Sequence, residues 1–280
     1  MNHTKLVFIG GGNMAASLIG GLVGKGWDPE QITVCDPAAE ARSKLAEQYG
    51  VKVSGDNQSS VSLADVIILA IKPQVVTEVL TGIATGLEHR PLIISIAAGI
   101  PVALLNHLMA GQAPELPIVR CMPNTPALLQ EGATGLYATE SVSSNQRQLA
   151  EDILAAVGTT AWVDEEILID AVTAVSGSGP AYFFLAMEAM IKAGNKLGLA
   201  PKVARELTLQ TALGAARMAL ESDVDVAELR RRVTSPGGTT EAALKAFEQQ
   251  GLLHLFETAM TAAYERSREM GSEASKNQNN

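Results

Sequence analysis

The sequence predicts an α/β protein with a doubly wound sheet at the N-terminus and an all-helical domain at the C-terminus. Over residues 1–164, short apolar runs rich in β-branched residues alternate with helical patterns. Such alternation is typical of parallel strands joined by helices. After Asp164 the chain is rich in Ala, Leu and Met at helical spacing. We therefore predict one domain over residues 1–164, a helical domain over residues 165–270 and a polar tail over residues 271–280, which we expect to fray.

The elements of the first domain follow from local patterns. Two apolar runs, residues 66–71 and 92–96, are continuous, as expected for strands that are covered on both faces. Further strands are predicted at residues 5–9, 31–35, 51–53, 118–121, 134–137 and 160–163, with helices at residues 13–25, 38–49 and 145–157. Another helix is expected to begin at Pro73.

The second domain is predicted to consist of helices alone. They are expected at residues 167–175, 181–197, 201–222, 226–233, 239–250 and 253–269. Many Ala residues and few large side chains leave this domain a thin core. We therefore expect it to pack against a second copy of itself.

Composition excludes several classes of function. The 280 residues include 47% hydrophobic side chains, enough for a buried core, so disorder is excluded as the main state. The formal net charge is −9, from 30 acidic and 21 basic side chains, whereas nucleic-acid binding needs the opposite balance. The most apolar stretch, residues 92–105, is interrupted by Ser95, Gly99 and Pro101 and is too short to span a membrane. We expect a soluble protein without a nucleic-acid or membrane partner.

The cysteines and the N-terminus indicate a cytoplasmic protein. Cys35 and Cys121 lie far apart, without the spacing of a metal site or a CxxC pair. The first apolar run, residues 6–9, is too short for the core of a signal peptide. The expectation is a reduced, cytoplasmic protein without a metal.

A glycine-rich turn joins the first predicted strand to the first helix. Residues 7–15 read VFIGGGNMA and place G-x-G-x-x-A at this junction. Gly10 would form the tight turn, Gly12 would let the backbone approach a pyrophosphate, and Ala15 would allow the helix to pack closely on the strand. The pattern predicts that a Rossmann-type domain binds a dinucleotide at the helix N-terminus. A merely tight strand–helix turn is the alternative.

The sequence leaves the choice between NAD and NADP open. Asp36 ends the second predicted strand, where an acidic side chain commonly accepts from the 2′-hydroxyl of the ribose and favours NAD. Pro37 follows at once, and Arg42, Ser43 and Lys44 on the next helix are candidates to bind a 2′-phosphate. Asp36 as the N-cap of that helix is the structural alternative.

The ends of two later strands offer further cofactor contacts. Lys72, within AIKP at residues 70–73, stands where α/β sheets bind ligands and can face a phosphate or a ribose. The small residues at 97–99 leave room for a flat ring. A snorkelling lysine and ordinary packing are the alternatives at these two places.

Three segments are candidates for the substrate side. The loop at residues 121–126, CMPNTP, holds Asn124 and Thr125 between two prolines. It suits a wall of the substrate site, but also a plain structural turn. The glycines within residues 176–180 indicate either close helix crossing or approach to a nicotinamide ring. Residues 230–241, RRRVTSPGGTTE, expose successive backbone N–H groups at the start of a helix and form a cradle sized for a carboxylate. A capped turn between helices, with solvated arginines, is the alternative.

Histidine chemistry is disfavoured. The four histidines are His3, His89, His107 and His254, at the terminus, in a loop and within ordinary helical patterns. Cys121 has no histidine near it in sequence that would activate a thiolate. A reaction driven by a histidine acid or base is therefore not expected.

Together these residues resemble the pyrroline-5-carboxylate reductase family over nearly the whole chain. The resemblance rests on FIGGGNM at residues 8–14, AIKP at 70–73 and CMPNTP at 121–126, and on two longer segments, DAVTAVSGSGPAY at 170–182 and VTSPGGTT at 233–240. The two longer segments are similar to the family's own signature and are more specific than the glycine pattern.

The resemblance implies binding of NADPH or, less favourably, NADH. The implied cofactor contacts are Phe8, Ile9, Gly10, Gly12, Asn13, Met14, Asp36, Asn57, Ala70, Ile71, Lys72, Pro73, Ala97, Ala98 and Gly99. The implied substrate contacts are Ser235, Gly237, Gly238, Thr239 and Thr240. The resemblance also implies dimers that interlock through the helical domain and assemble into a larger ring.

The implied reaction is hydride transfer to the imine carbon of L-1-pyrroline-5-carboxylate, which gives L-proline as the last step of proline biosynthesis. Backbone amides of Gly237, Gly238 and Thr239 would hold the carboxylate, and Thr240 would hydrogen-bond the imine nitrogen. Hydride addition neutralises an iminium, so a strong general acid is less necessary than in ketone reduction. Two alternatives remain: a nucleotide-sensing protein without turnover, and a β-hydroxyacid dehydrogenase, which needs a lysine where residues 181–184 read AYFF.

Overall fold

The computed structural model describes residues 3–109 and 115–276. Within these ranges, one sheet is formed by β1 (Leu6–Ile9), β2 (Ile32–Cys35), β3 (Lys52–Ser54), β4 (Val66–Leu69), β5 (Leu92–Ser95), β6 (Ile118–Met122), β7 (Gly132–Ala138) and β8 (Gly158–Trp162). Their order across the sheet is β3-β2-β1-β4-β5-β6-β7-β8. Strands β1 to β6 are parallel, β7 is antiparallel to β6, and β8 is parallel to β7. The predicted doubly wound sheet is confirmed, with a reversal at β7 that we did not predict.

Strand β1 lies where the winding of the sheet reverses. Leu6 pairs with Ile32 of β2 on one side and with Val66 of β4 on the other. At such a switch point the connections leave in opposite directions, and a crevice opens at the carboxyl ends of the strands. The turn that follows Ile9 is therefore placed to bind a ligand.

Helices cover both faces of the sheet. The described helices are α1 (Asn13–Gly24), α2 (Ala39–Tyr49), α3 (Asn57–Val61), α4 (Val76–Ile83), α5 (Val102–Met109), α6 (Ser144–Leu154), α7 (Leu168–Val172), α8 (Gly179–Lys196), α9 (Pro201–Glu221), α10 (Val226–Arg232), α11 (Thr239–Gln249) and α12 (Leu252–Lys276). Leu6 and Phe8 of β1 pack in a core with α1, α2 and α6. Val7 and Ile9 pack in a second core with α3, α4 and α5. Alternate residues of one strand thus enter two cores, which explains its continuous apolar run.

The chain divides into two compact units. The sheet unit comprises the residues up to Ser178 together with those from Ala263 onward, and the helical unit comprises Gly179–Ala262. This division differs from the boundary predicted near residue 164, because α7 packs on the sheet. A Cβ at Gly135 of β7 would lie 2.5 Å from Val172 Cγ1 of α7. The predicted limits of the two domains stay a prediction.

Several observed helices differ from those predicted. The helix expected over residues 167–175 is α7 followed by a π-helical turn, Thr173–Gly177. The tail expected to fray from residue 271 instead continues α12 to Lys276, stabilised by Arg266, whose ion pairs with Glu269 and Glu273 are each 2.9 Å long. Residues 277–280 lie outside the described residues. The short helix α3 was not predicted, since it is too short to show a clear helical period, and α5 was anticipated only as a helical pattern around His107, without bounds.

The helical unit buries few of its own side chains. Among its residues only Gly179, Ala204 and Thr208 are buried. Phe183 and Phe184 on α8 are 68% and 64% exposed. The thin core expected from the Ala-rich composition is therefore present, and a broad apolar surface surrounds it.

One helical run is long and apolar enough, by length and composition, to cross a membrane. Leu168–Lys196 has a mean hydropathy of 1.2 in its most apolar window. It is not the stretch that looked most apolar in the sequence, residues 92–105, which the structure divides between β5 and α5. Length and composition do not distinguish this run from a helix that packs within a soluble protein. It is also not one regular α-helix, since the π-helical turn separates α7 from α8.

Arg120 on β6 lies at the centre of a polar network in the sheet unit. It is 5% exposed. Its Nη1 donates to Glu166 Oε1 at 2.7 Å, and its Nη2 lies 3.6 Å from Asp170 Oδ1. The same Glu166 oxygen accepts from the Val102 N–H at 2.8 Å, and the same Asp170 oxygen accepts from Ser267 Oγ at 2.7 Å. One buried cation thus links β6 to the start of α5, to α7 and to α12.

Replacing Arg120 with Met is expected to lower the free energy of unfolding of the sheet unit by about 3 kcal/mol, because two partly buried carboxylates lose their cation. Urea unfolding followed by the fluorescence of Trp27 and Trp162, both in the sheet unit, measures the change. The control is Lys52→Met, which removes an exposed pair with Glu30 and should cost about 0.5 kcal/mol or less. Equal, small losses in the two variants would contradict the role of the network.

Candidate active site

The turn after β1 is as tight as the glycine pattern predicts. The Gly10 N–H donates to the Cys35 carbonyl at 2.7 Å, and the Ala70 N–H donates to the Ile9 carbonyl at 2.8 Å. Gly10 has φ +101°, and a Cβ there would lie 2.3 Å from the Ala70 oxygen. Because no side chain fits, glycine is required where the chain leaves the sheet.

The start of α1 offers unpaired backbone donors. Among the described residues, the N–H groups of Gly12, Asn13 and Met14 have no hydrogen-bond partner. A Cβ at Gly12 would meet nothing within 4 Å. These donors and the open space at Gly12 fit a pyrophosphate at the helix N-terminus. The side chains of Phe8 and Ile9 are buried in the two cores, and the Ile9 carbonyl accepts from the Ala70 N–H, so contact of these two residues with a cofactor stays a prediction.

Asp36 binds backbone amides with both carboxylate oxygens. Its Oδ2 accepts from the Gly11 N–H and its Oδ1 from the Ala38 N–H, each at 2.8 Å. The N-cap of α2 is Ala38, so the interpretation of Asp36 as that N-cap is wrong. Asp36 instead ties the turn after β2 to the glycine turn after β1. A carboxylate has about four lone-pair sites, so it can still accept from a ribose hydroxyl.

Lys44 borders the groove beside the glycine turn, whereas Arg42 hydrogen-bonds backbone carbonyls of the loop after β2. A cavity of about 620 Å³ is lined by Lys44 and Tyr49 of α2 and by residues of the glycine turn. Arg42 Nη1 donates to the carbonyls of Asp36 and Pro37. Of the three side chains proposed for a 2′-phosphate, Lys44 is therefore the cation that faces this groove.

The other predicted cofactor residues follow the carboxyl ends of β3, β4 and β5. Asn57 starts α3 after β3; Ala70, Ile71, Lys72 and Pro73 follow β4; and Ala97, Ala98 and Gly99 follow β5. Because the carboxyl ends of parallel strands share one edge of a sheet, these residues lie along the same edge as the glycine turn. Lys72 is exposed there.

The C-terminal part of α12 packs against the loop after β5. Gly99 has φ +71°, and a Cβ there would lie 3.0 Å from Met270 Cβ of α12. A Cβ at Gly271 would lie 3.3 Å from the Gly99 oxygen. A contact between distant parts of the chain leaves no local pattern, so this role of α12 could not be predicted from the sequence.

The loop after β6 is tied by Asn124 to two other segments of the sheet unit. Asn124 is 8% exposed; its Nδ2 donates to the Ser176 carbonyl at 3.0 Å, and its Oδ1 accepts from the Ala133 N–H at 2.9 Å. These contacts favour the structural interpretation of this loop over a site wall. Burial raises the pKa of the Cys121 thiol, which disfavours a nucleophilic thiolate.

The glycines before α8 allow close packing. A Cβ at Gly177 would lie 2.6 Å from Met122 Cε, which supports the close-packing interpretation at this position. Approach of the other glycines to a nicotinamide ring stays a prediction. In the described part of the chain, the buried Tyr182 hydroxyl has no hydrogen-bond partner.

The loop between α10 and α11 turns as predicted, but its amides are used differently. Gly237 has φ +71°, and its N–H donates to Glu241 Oε2 at 2.8 Å. The Gly238 N–H donates to the Ser235 carbonyl at 3.0 Å. Two of the three amides expected to hold a carboxylate are therefore engaged within the loop: the Gly237 N–H points back toward the helix, and the Gly238 N–H closes a turn on Ser235.

Other groups of this loop are free for a ligand. The Thr239 amide and the hydroxyls of Ser235, Thr239 and Thr240 have no partner among the described residues. A ligand can bind these groups without displacing an internal hydrogen bond.

The arginine cluster at residues 230–232 is mostly paired within α10. Arg231 Nη2 and Arg232 Nε lie 2.7 and 2.8 Å from oxygens of Glu228. Hydrogen bonds from Arg232 and Arg231 hold the pKa of Glu228 below its ordinary value. Arg230 is exposed, and within the described residues the ion pairs of this cluster involve Arg231 and Arg232 only.

The histidines play no part in these arrangements. His89 Nε2 lies 2.8 Å from the Ala64 carbonyl oxygen, and His254 is an exposed residue 3.7 Å from Glu257. Over residues 3–109 and 115–276, no group of three or more His, Cys, Asp or Glu side chains is arranged to hold a metal ion.

Two protein-family models match the chain. The model described as pyrroline-5-carboxylate reductase dimerisation matches residues 166–270. A second, described as NADP oxidoreductase coenzyme F420-dependent, matches residues 5–99. The matches therefore cover most of both predicted domains.

Relatives and solved structures cover almost the whole chain. A pyrroline-5-carboxylate reductase of Pseudomonas aeruginosa is 55% identical over 96% of this chain and 98% of its own, and one of Haemophilus influenzae is 47% identical over the same shares. The structure of a pyrroline-5-carboxylate reductase from Coxiella burnetii has a TM-score of 0.89 at 43% identity, covering 96% of this chain and 99% of that one. The structure from Plasmodium falciparum with NADP bound has a TM-score of 0.84 at 31% identity, covering 97% and 99%. The chain therefore belongs to the pyrroline-5-carboxylate reductase family of NAD(P)H-dependent oxidoreductases.

Proposed function

We propose that this protein reduces the C=N bond of L-1-pyrroline-5-carboxylate to give L-proline, the last step of proline biosynthesis, with NADPH as the preferred reductant. The observation that carries this proposal is the loop of residues 235–240, where free hydroxyls stand at the start of α11. The related proteins that match nearly the full length carry the name of this reaction.

We assign cofactor binding to the sheet unit. The N–H groups of Gly12, Asn13 and Met14 would hold the pyrophosphate at the start of α1. Lys72 and the loop at residues 97–99 would border the ribose and the nicotinamide. When bound, the cofactor supplies the hydride that the reaction consumes.

We assign substrate binding to the helical unit. The Thr239 amide would hold the carboxylate, with the Ser235 hydroxyl as a second donor. Thr240 is the catalytic residue: its hydroxyl would hydrogen-bond the imine nitrogen, which keeps its proton in the product. Because an iminium becomes neutral when it accepts hydride, orientation of the ring contributes more to the rate than a strong acid would.

Replacing Thr240 with Val removes the hydroxyl and keeps the shape of the side chain. We expect kcat/KM for pyrroline-5-carboxylate to fall about 10- to 100-fold, because a hydrogen bond to a charged group is worth about 1.5–3 kcal/mol. The assay follows NADPH oxidation with and without pyrroline-5-carboxylate.

The matched control for this variant is Thr258→Val. The Thr258 hydroxyl donates to the His254 carbonyl within α12, away from the loop. Turnover should stay normal in this control. Normal turnover and KM in Thr240→Val would remove the assigned role.

We infer that Lys44 supports the preference for NADPH. It is exposed, it borders the groove beside the glycine turn, and the 2′-phosphate is the charge by which NADPH differs from NADH. Asp36 does not exclude this choice, since its carboxylate is bound by the amides of Gly11 and Ala38.

The variant Lys44→Met should lower kcat/KM for NADPH about tenfold and leave that for NADH nearly unchanged, because only NADPH loses a charged contact. The ratio of the two values is the measurement. Lys52→Met, also on an exposed lysine of the sheet unit, should leave the ratio at its original value. An unchanged ratio in Lys44→Met would exclude Lys44 from selecting the cofactor.

We further propose that the helical unit pairs with a second copy, and that dimers assemble into a larger ring in the cytoplasm. The match to a dimerisation family supports self-association. So does the exposure of Phe183, Phe184 and Leu185, each about two-thirds exposed (68%, 64% and 67%), since large exposed apolar patches mark interaction surfaces.

The variant Phe184→Asp should shift the protein to a smaller assembly, because it places a charge within an apolar interface. Sedimentation velocity at several protein concentrations measures the mass. Leu63→Asp is the control, since Leu63 is 70% exposed in the sheet unit. If both variants kept the mass of the original protein, α8 would lie outside the interface.

A further inference from the structure

We propose that Glu241 is a positioning residue for the substrate: its carboxylate holds the Gly237 amide and fixes the loop of residues 235–240, so that the Thr239 amide and the Thr240 hydroxyl face the ligand. This inference rests on the proposed function of that loop. It changes which backbone groups hold the substrate carboxylate, since the Gly237 and Gly238 amides are no longer among them.

The contacts of Glu241 place it between the loop and the body of α11. Its Oε2 accepts from the Gly237 N–H at 2.8 Å, and its Oε1 lies 3.3 Å from Lys245 Nζ, one turn further along the helix. The Gly237 N–H and then Lys245 hold the pKa of Glu241 below its ordinary value. The carboxylate is therefore ionised at neutral pH and keeps both partners.

The local sequence explains why a glutamate is needed here. The N-cap of α11 is Gly238, which has no side chain to bind the first N–H groups of the helix. Glu241 is the third residue of the helix, the position from which an acidic side chain reaches back in a capping box. Because Gly237 is left-handed, it is the N–H of Gly237 that meets the carboxylate. Glu241 thus replaces the missing cap.

A competing interpretation predicts that removing Glu241 lowers the KM for the substrate instead of raising it. An internal carboxylate beside an anion-binding loop would repel the substrate or occupy its place, and its removal would then tighten binding. We favour positioning because Lys245 offsets the charge of Glu241 and because the Thr239 amide is left open for the substrate. The two interpretations are separated by the direction in which KM changes.

Steady-state kinetics of the full-length protein test the proposal. Glu241→Ala should raise the KM for pyrroline-5-carboxylate about tenfold and leave the KM for NADPH within about twofold. Glu241→Gln retains an oxygen acceptor and should recover most of the affinity. Glu248→Ala, on the same helix, is the matched control and should leave both constants unchanged. A lower or unchanged KM for pyrroline-5-carboxylate in Glu241→Ala would overturn the proposal.

Hydrogen–deuterium exchange tests the same contact without relying on activity. Peptides that cover residues 235–240 should exchange faster in Glu241→Ala than in the original protein, and not in Glu248→Ala. If the original protein failed to reduce pyrroline-5-carboxylate, the proposed function would be wrong, while the exchange result would still decide whether Glu241 holds the loop. Unchanged exchange in Glu241→Ala would overturn the positioning role.

Discussion

The buried guanidinium of Arg120 is the constraint on which the arrangement of the sheet unit depends. A cation that is 5% exposed is strongly unfavourable without partners, and Glu166 and Asp170 supply them. Each of these carboxylates also accepts from a further group, at the start of α5 and on α12. The charge on one central strand thereby fixes the position of the last helix. That helix in turn places Met270 against Gly99, so the pairing of one charge contributes to the packing of the loop after β5.

Carboxylates that bind backbone amides recur at the candidate sites. Asp36 binds the Gly11 amide at one loop, and Glu241 binds the Gly237 amide at the other. Asp36 satisfies two N–H groups and Glu241 satisfies one, and the unpaired N–H groups nearby, at residues 12–14 and at Thr239, remain for a ligand. This arrangement suits a protein with a net charge of −9 whose proposed cofactor and substrate are both anions. Local amide geometry, rather than the overall charge, would then attract them.

The sheet and the glycine turn could be predicted because their signals are local. Continuous apolar runs mark strands covered on both faces, and the spacing of Gly10 and Gly12 marks the turn. The rest depends on contacts between distant residues. From the sequence, the loop with Asn124 suited a wall of the site as well as a structural turn. The bonds of Asn124 to two other segments favour the structural turn. The continuation of α12 beyond residue 270 could not be predicted from an apolar stripe, because ion pairs of Arg266 stabilise that part of the helix. The bond from Gly237 to Glu241 depends on a left-handed backbone that sequence alone does not specify.

The sheet unit is formed by two separate segments of the sequence, and this affects the order in which its parts can fold during synthesis. Its described strands leave the ribosome before the helical unit, and the part of α12 that completes it follows the helical unit. The bond between Asp170 and Ser267 joins residues 97 positions apart. Strand pairing can therefore begin during synthesis, whereas the bond from Ser267 can join the Arg120 network only after the helical unit has been made. The loop at Gly99 gains its support from Met270 only after the helical unit has been made, so a nascent chain would form its strands before this loop is supported.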